Sequence, residues 1–189
     1  MKTSRLEAFS DGVLAIIITI MVLELKTPHD VTLVALKPML PVFLGYLLSF
    51  IYVGIYWNNH HHLMTAVEKI NGKVLWANLH LLFWLSLIPF ATAWLGQNYT
   101  SPAPLALYGF ILLMAAVAYA ILLNELVKVE GKEGLLAKAV GKDIKGKLSI
   151  ILYVIAILST LFLPIIAGIM YVIVAIIWFV PDKRIEKIK

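Results

Sequence analysis

The sequence predicts an all-α integral membrane protein, a single repeat of six membrane-crossing helices with both termini cytoplasmic. Three observations carry that reading. Hydrophobic residues make up 61% of the chain and charged residues 14%, with a mean hydropathy of +0.91; a soluble domain runs roughly half apolar and about a quarter charged. The apolar residues fall into stretches of bilayer length, separated by Pro, Gly and Asn. The lysines and arginines gather on alternate connections between those stretches.

A hydrocarbon core of about 30 Å needs about 20 mostly apolar residues per helix. Six segments meet that need, near 6–26, 39–61, 74–96, 104–127, 147–163 and 166–181. The first is aliphatic from Gly12 to Leu23 apart from Gly12 itself and Thr19. Glu7, Ser10 and Asp11 interrupt its start and no small-residue cleavage site follows, so it reads as a retained helix and not a secretory signal. Pro38 and Pro41 open the second, where proline is tolerated in a first helical turn. Asn71-Gly72 is a turn signal ahead of the third, and Ser101-Pro102-Ala103-Pro104 precedes the fourth. Only Pro164 and Ala167-Gly168 separate the fifth from the sixth, which leaves a tight hairpin or one kinked span.

Charge chooses between these. With six spans, fourteen of the sixteen Lys and Arg residues lie on the side of the N-terminus, and Lys26 and Lys37 lie opposite. That positive-inside bias puts both termini in the cytoplasm. A single final crossing would place the cluster from Lys183 to Lys189 outside. The 128–146 connection is either a basic linker that sets topology, the plainer option, or a short amphipathic helix on the inner leaflet. Trp76, Trp94, Tyr99, Tyr108, Trp178 and Phe179 fall near span ends, as interfacial aromatic residues do. Residues 1–189 read as one transmembrane domain with no room for an appended enzyme. There are no cysteines, which excludes disulfide and thiol chemistry. The net charge of +5 is explained by topology and points to no nucleic acid.

Ionisable groups in membrane helices are costly and mark function by default. Arg5 and Asp11 stand at the start of the first span, Asn59, His60 and His61 at the end of the second, and Asn78 and His80 at the start of the third. In the six-span topology all lie at one depth, near the inner interface. At 100° per residue, Ile16, Ile20 and Leu23 share one stripe flanked by Thr19, and Asp11 lies about 140° from Ile16. Asp11 is six residues from Arg5, a poor intrahelical distance, so its expected partner is on another helix, a histidine of the second being the first choice. Ser10 and Asp11 also suit a helix cap. Three roles stand open for the cluster: a buried network joining helices one to three, a titratable gate or proton relay built on histidine, and a metal site. The last is disfavoured, because three consecutive histidines diverge on a helix and no zinc spacing is present.

Arg5-x-x-x-Phe9-Ser10-Asp11 resembles the signature of the transmembrane protein 175 family of potassium channels. Tyr56-Trp57-x-Asn59-His60-His61 resembles the end of that family's second helix. Asn78-Leu79-x-Leu81-Leu82-Phe83-x-x-Ser86-Leu87-Ile88-Pro89-Phe90-x-Thr92 resembles its third. The likeness runs over essentially the whole chain, although spans four to six carry no usable motif. With room for one six-span repeat, the chain is similar to the family's prokaryotic members, which are homotetramers. The resemblance implies a potassium-permeable channel in a prokaryotic plasma membrane, without enzyme activity, catalytic residues, bound metal or cofactor. Its partners would be other copies of itself, potassium and other monovalent cations, and lipid. First helices would line the pore, with a constriction at Ile16, further rings at Ile20 and Leu23, a hydroxyl layer at Thr19 and Glu24 in the outer vestibule. No TVGYG-type carbonyl filter is present. Arg5, Phe9, Ser10, Asp11, Asn59, His60, His61 and Asn78 would position the pore helix. A proton channel or cation transporter of the same fold is the nearest alternative, followed by a histidine-cluster metalloprotein and a membrane protein without transport activity.

Overall fold

The computed structural model describes residues 3–131, 133–141 and 143–179, and every regular element among them is helical. Helix α1 spans Ser4–Leu23, and a 3₁₀ segment, Leu33–Met39, leads into α2, Leu40–Thr65. The third predicted span is two helices, α3 at Gly72–Ser86 and α4 at Ile88–Gln97. Pro89 explains the division: it has no N–H for the carbonyl one turn earlier, and its ring crowds that turn. Helix α5 covers Pro102–Glu130, α6 is the short Leu135–Val140, and α7 and α8 cover Ile144–Ser159 and Pro164–Phe179.

Local chemistry sets several boundaries. The Asn71 side chain accepts a bond from the Val74 N–H at 3.0 Å and so caps α3. Asp143 caps α7 by accepting from the Gly146 N–H at 3.1 Å, and its φ of 42° is unusual for a residue with a Cβ. The 128–146 connection contains a helix, α6, but one of only six residues. The end of the sixth predicted span and the cluster from Lys183 to Lys189 lie outside the described residues.

Four described stretches are long and apolar enough to cross a bilayer: Ser4–Leu23, Leu33–Thr65, Gly72–Gln97 and Pro102–Glu130. Helices α7 and α8 have 16 residues each, about 24 Å at 1.5 Å per residue. They form an antiparallel hairpin and not one kinked span. Trp178 near the end of α8 donates to Ser149 near the start of α7 at 2.7 Å, and the Tyr153 and Tyr171 rings meet midway at 6.4 Å.

Helix α5 is the element the others pack around, touching α3, α4, α7 and α8, while α1 rests on α2, α3 and α4. Small residues allow close approach. A Cβ on Gly96 would stand 3.0 Å from the Val42 Cα, so α4 crosses α2 where only glycine fits. A buried hydroxyl chain then ties α2, α4 and α5 together. Tyr108 and Ser49 are 2.9 Å apart, Thr92 Oγ1 is 2.7 Å from Ser49 Oγ, and Thr92 donates to the Ile88 carbonyl at 2.7 Å. Tyr108 is therefore a core residue, not the interfacial aromatic expected from its position near a span end.

Candidate functional site

Helix α1 has two unlike sides. Leu6, Ser10, Leu14, Ile17 and Met21 are buried, spaced four, four, three and four residues apart, the seam of a helix resting on its neighbours. The other side is uncovered in the protomer. Ile16, Ile20 and Leu23 are 58%, 44% and 79% exposed, and Phe9, Gly12, Thr19 and Glu24 share that exposure. Van der Waals packing against α2, α3 and α4 accounts for the seam but leaves the aliphatic stripe without a covering in the protomer. Thr19 donates its hydroxyl hydrogen to the Ile16 carbonyl at 2.8 Å, which leaves the lone pairs of Oγ1 free to face a cation. Ile16, Ile17, Ile20 and Glu24 also line one wall of a groove whose other wall is Ser86, Pro89, Phe90 and Ala93, the residues at the α3–α4 break.

The seam is anchored by one buried polar chain. His60 Nε2 lies 2.7 Å from Asn78 Oδ1, Asn78 Nδ2 donates to Ser10 Oγ at 2.9 Å, and Ser10 donates to the Leu6 carbonyl at 2.8 Å. The amide oxygen only accepts, so the ring proton of His60 sits on Nε2. All three side chains are buried and come from α2, α3 and α1. A bond between helices in a medium without water holds their rotation as well as their spacing. His60 Nδ1 is buried with no partner among the described residues.

Two further pairs flank this chain nearer the surface. Trp57 Nε1 donates to Asp11 Oδ1 at 3.0 Å, and His61 Nδ1 lies 2.8 Å from Glu7 Oε1. The Trp57 and His61 rings stack at 6.4 Å. The partner of Asp11 is thus on the second helix, as expected, but it is a tryptophan; the histidine beside it takes Glu7. The reason is register. Glu7 and Asp11 are four apart on α1, Trp57 and His61 are four apart on α2, and such pairs present one face each.

Other predicted members stand apart. Asn59 turns back to its own helix, donating to the Ile55 carbonyl at 2.8 Å. Arg5 is exposed with no ion pair among the described residues, and Phe9 lies on the uncovered side of α1. His80 accepts from Trp84 within α3 at 2.9 Å. Glu7 and Trp57 are the participants that sequence reasoning overlooked, although the two four-residue spacings were visible. No group of three or more His, Asp or Glu residues is placed to hold a metal ion among the described residues; His60 and His61 diverge to different partners.

Comparison with known proteins adds to this geometry. The model of the family described as "Endosomal/lysosomal potassium channel TMEM175" matches residues 5–89, from α1 to the α3–α4 break. A protein of Chryseobacterium sp. (strain P1-3), named a potassium channel, is 57% identical over 187 residues, covering 99% of this chain and 97% of that one. A solved structure, that of a lysosomal potassium-selective channel TMEM175 homologue from Chamaesiphon minutus, superposes with a TM-score of 0.82 at 28% identity. It covers 95% of this chain and 97% of its own. The mouse protein named endosomal/lysosomal proton channel TMEM175 is 34% identical over 103 residues, 48% of this chain and 21% of the mouse protein. By these likenesses the chain belongs to the TMEM175 family, a family of ion channels and not of enzymes.

Proposed function

We propose that this protein is a potassium-permeable cation channel whose pore is lined by α1 from four copies of the chain. The observation that carries the reading is the uncovered stripe of Ile16, Ile20 and Leu23, opposite a seam held in register by buried hydrogen bonds. The 57% identity to a protein named a potassium channel supports the permeant ion.

Four branched side chains meeting at an axis exclude water and close the path by dewetting. When the ring widens, the ion sheds part of its hydration with little replacement, which favours potassium because it holds water less tightly than sodium. Thr19 offers oxygen one turn from Ile16, and Glu24 concentrates cations at the outer mouth. Potassium is the permeant species and no cofactor takes part. The chain crosses the plasma membrane six times with both termini cytoplasmic, and the short α7–α8 hairpin supplies the last two crossings. That orientation is supported by the lysine distribution.

Purified protein in liposomes tests the reading. Potassium flux should exceed sodium flux under matched gradients, and Ile16→Asn should raise leak. Equal ion flux, or no flux, rejects it. The name of the mouse relative favours a second reading, proton conduction; a pH gradient dissipated in vesicles without potassium would establish that reading instead.

A further inference from the structure

A second groove, with no α1 residue in its lining, is left unexplained by conduction. It runs between the start of α3 and the end of α5, lined by Lys73, Trp76 and His80 on one side and Ile121, Glu125 and Lys128 on the other. Lys73 and Trp76 are one turn apart on α3; Ile121 and Lys128 are two turns apart on α5. Because α3 starts where α5 ends, both lysines lie at the same end of the groove, with the tryptophan next and Ile121 farther in. Trp76 is 75% exposed and Ile121 41%, so neither is absorbed by the protomer. Lys128 is paired with Glu125 at 2.5 Å. Lys73 is exposed and has no ion pair among the described residues.

This polarity, from cation through indole to aliphatic, is the order of groups met on entering a bilayer from its cytoplasmic face. Indole rings sit at headgroup depth, and basic pockets between helices on that side receive anionic headgroups. We propose that the groove binds an anionic phospholipid of the cytoplasmic leaflet, with its phosphate at Lys73, its glycerol ester region against Trp76 and an acyl chain along Ile121. Glu125 holds Lys128 to one side, so Lys73 makes the main contact with the charge. The inference rests on the orientation given under the proposed function, which puts the ends of α3 and α5 that carry these lysines at the inner interface.

The test is native mass spectrometry of the full-length channel released from detergent containing equal amounts of phosphatidylglycerol and phosphatidylcholine. Phosphatidylglycerol should be retained in preference. Lys73→Gln should cut that retention at least threefold, Lys73→Arg should keep it, and Lys26→Gln, at the other end of the molecule, should leave it unchanged. Trp76→Ala should lower retention of both lipids. Equal retention of the two lipids, or a Lys73→Gln channel that retains phosphatidylglycerol fully, overturns the proposal. So does a change of oligomeric state in Trp76→Ala at unchanged lipid retention, which would make the groove a contact between copies. Potassium flux measured on the same preparations separates this outcome from the channel reading: wild-type flux with no lipid preference rejects the site alone.

Discussion

Replacing Asn78 by alanine is the sharpest test of how the pore helix is held. Asn78 is fully buried and joins three helices through two bonds, from His60 at 2.7 Å and to Ser10 at 2.9 Å. Alanine leaves Ser10 its bond to Leu6, but strands the Nε2–H of a histidine whose Nδ1 already lacks a partner among the described residues. A buried donor left unmade costs about 1–3 kcal/mol. Side-chain bonds between membrane helices average about 0.6 kcal/mol and reach about 1.7 kcal/mol. With the void left by the amide, the expected loss is about 2–4 kcal/mol, read from reversible denaturant unfolding in mixed micelles. His60→Ala should cost a comparable amount, because it leaves the larger void of the imidazole and strands the buried Asn78 Oδ1. The double variant should be less destabilised than the sum of the singles, with a coupling of about 0.5–3 kcal/mol, as for residues in one network. A loss below about 0.5 kcal/mol for Asn78→Ala, or strict additivity with His60→Ala, would refute the argument that this chain locks α1 in register.

Other consequences are equally open to measurement. Gly109→Ala would set a Cβ 2.0 Å from the Tyr171 hydroxyl, which donates to the Leu105 carbonyl at 2.9 Å; it should destabilise the helix packing by about 2 kcal/mol or more, and Tyr171→Phe should restore part of the loss in thermal unfolding. Trp57→Phe and Asp11→Ala each break the same exposed bond, so both should cost about 0.5–1.5 kcal/mol and the pair no more than the larger single. Asp11→Asn keeps an acceptor oxygen and should preserve assembly and flux better than Asp11→Ala. Glu24→Gln should lower potassium flux several-fold at 10 mM salt and little at 1 M, since a carboxylate at the mouth acts through a field with a Debye length of about 30 Å in the first case and about 3 Å in the second. Salt-independent flux loss would assign Glu24 another role.

Much of this protein is written in one dimension. Hydropathy and lysine placement are sums over local residues, and they were enough to find the apolar helices, to expect α7 and α8 as separate elements and to bring the starts of α1 and α3 and the end of α2 to one level. The spacing of Leu14, Ile17 and Met21 against Ile16, Ile20 and Leu23 was also present in the sequence. Yet every one of those residues is aliphatic, so periodicity alone could not say which stripe is buried and which uncovered. That choice came from packing: Ser10 is the polar residue of α1 that is fully buried, and its bond from Asn78 turns that face inward. Partner choice in the polar cluster was hidden for the same reason. The sequence puts several side chains able to donate to Asp11 at the end of α2, and the rotation of α2 against α1 hands it Trp57 and gives His61 to Glu7. The break at Leu87 is a local effect of Pro89 on the helix. The close crossing at Gly96 and the burial of Tyr108 needed helices far apart in the chain to meet, since a distance between two surfaces is a property of neither sequence segment alone.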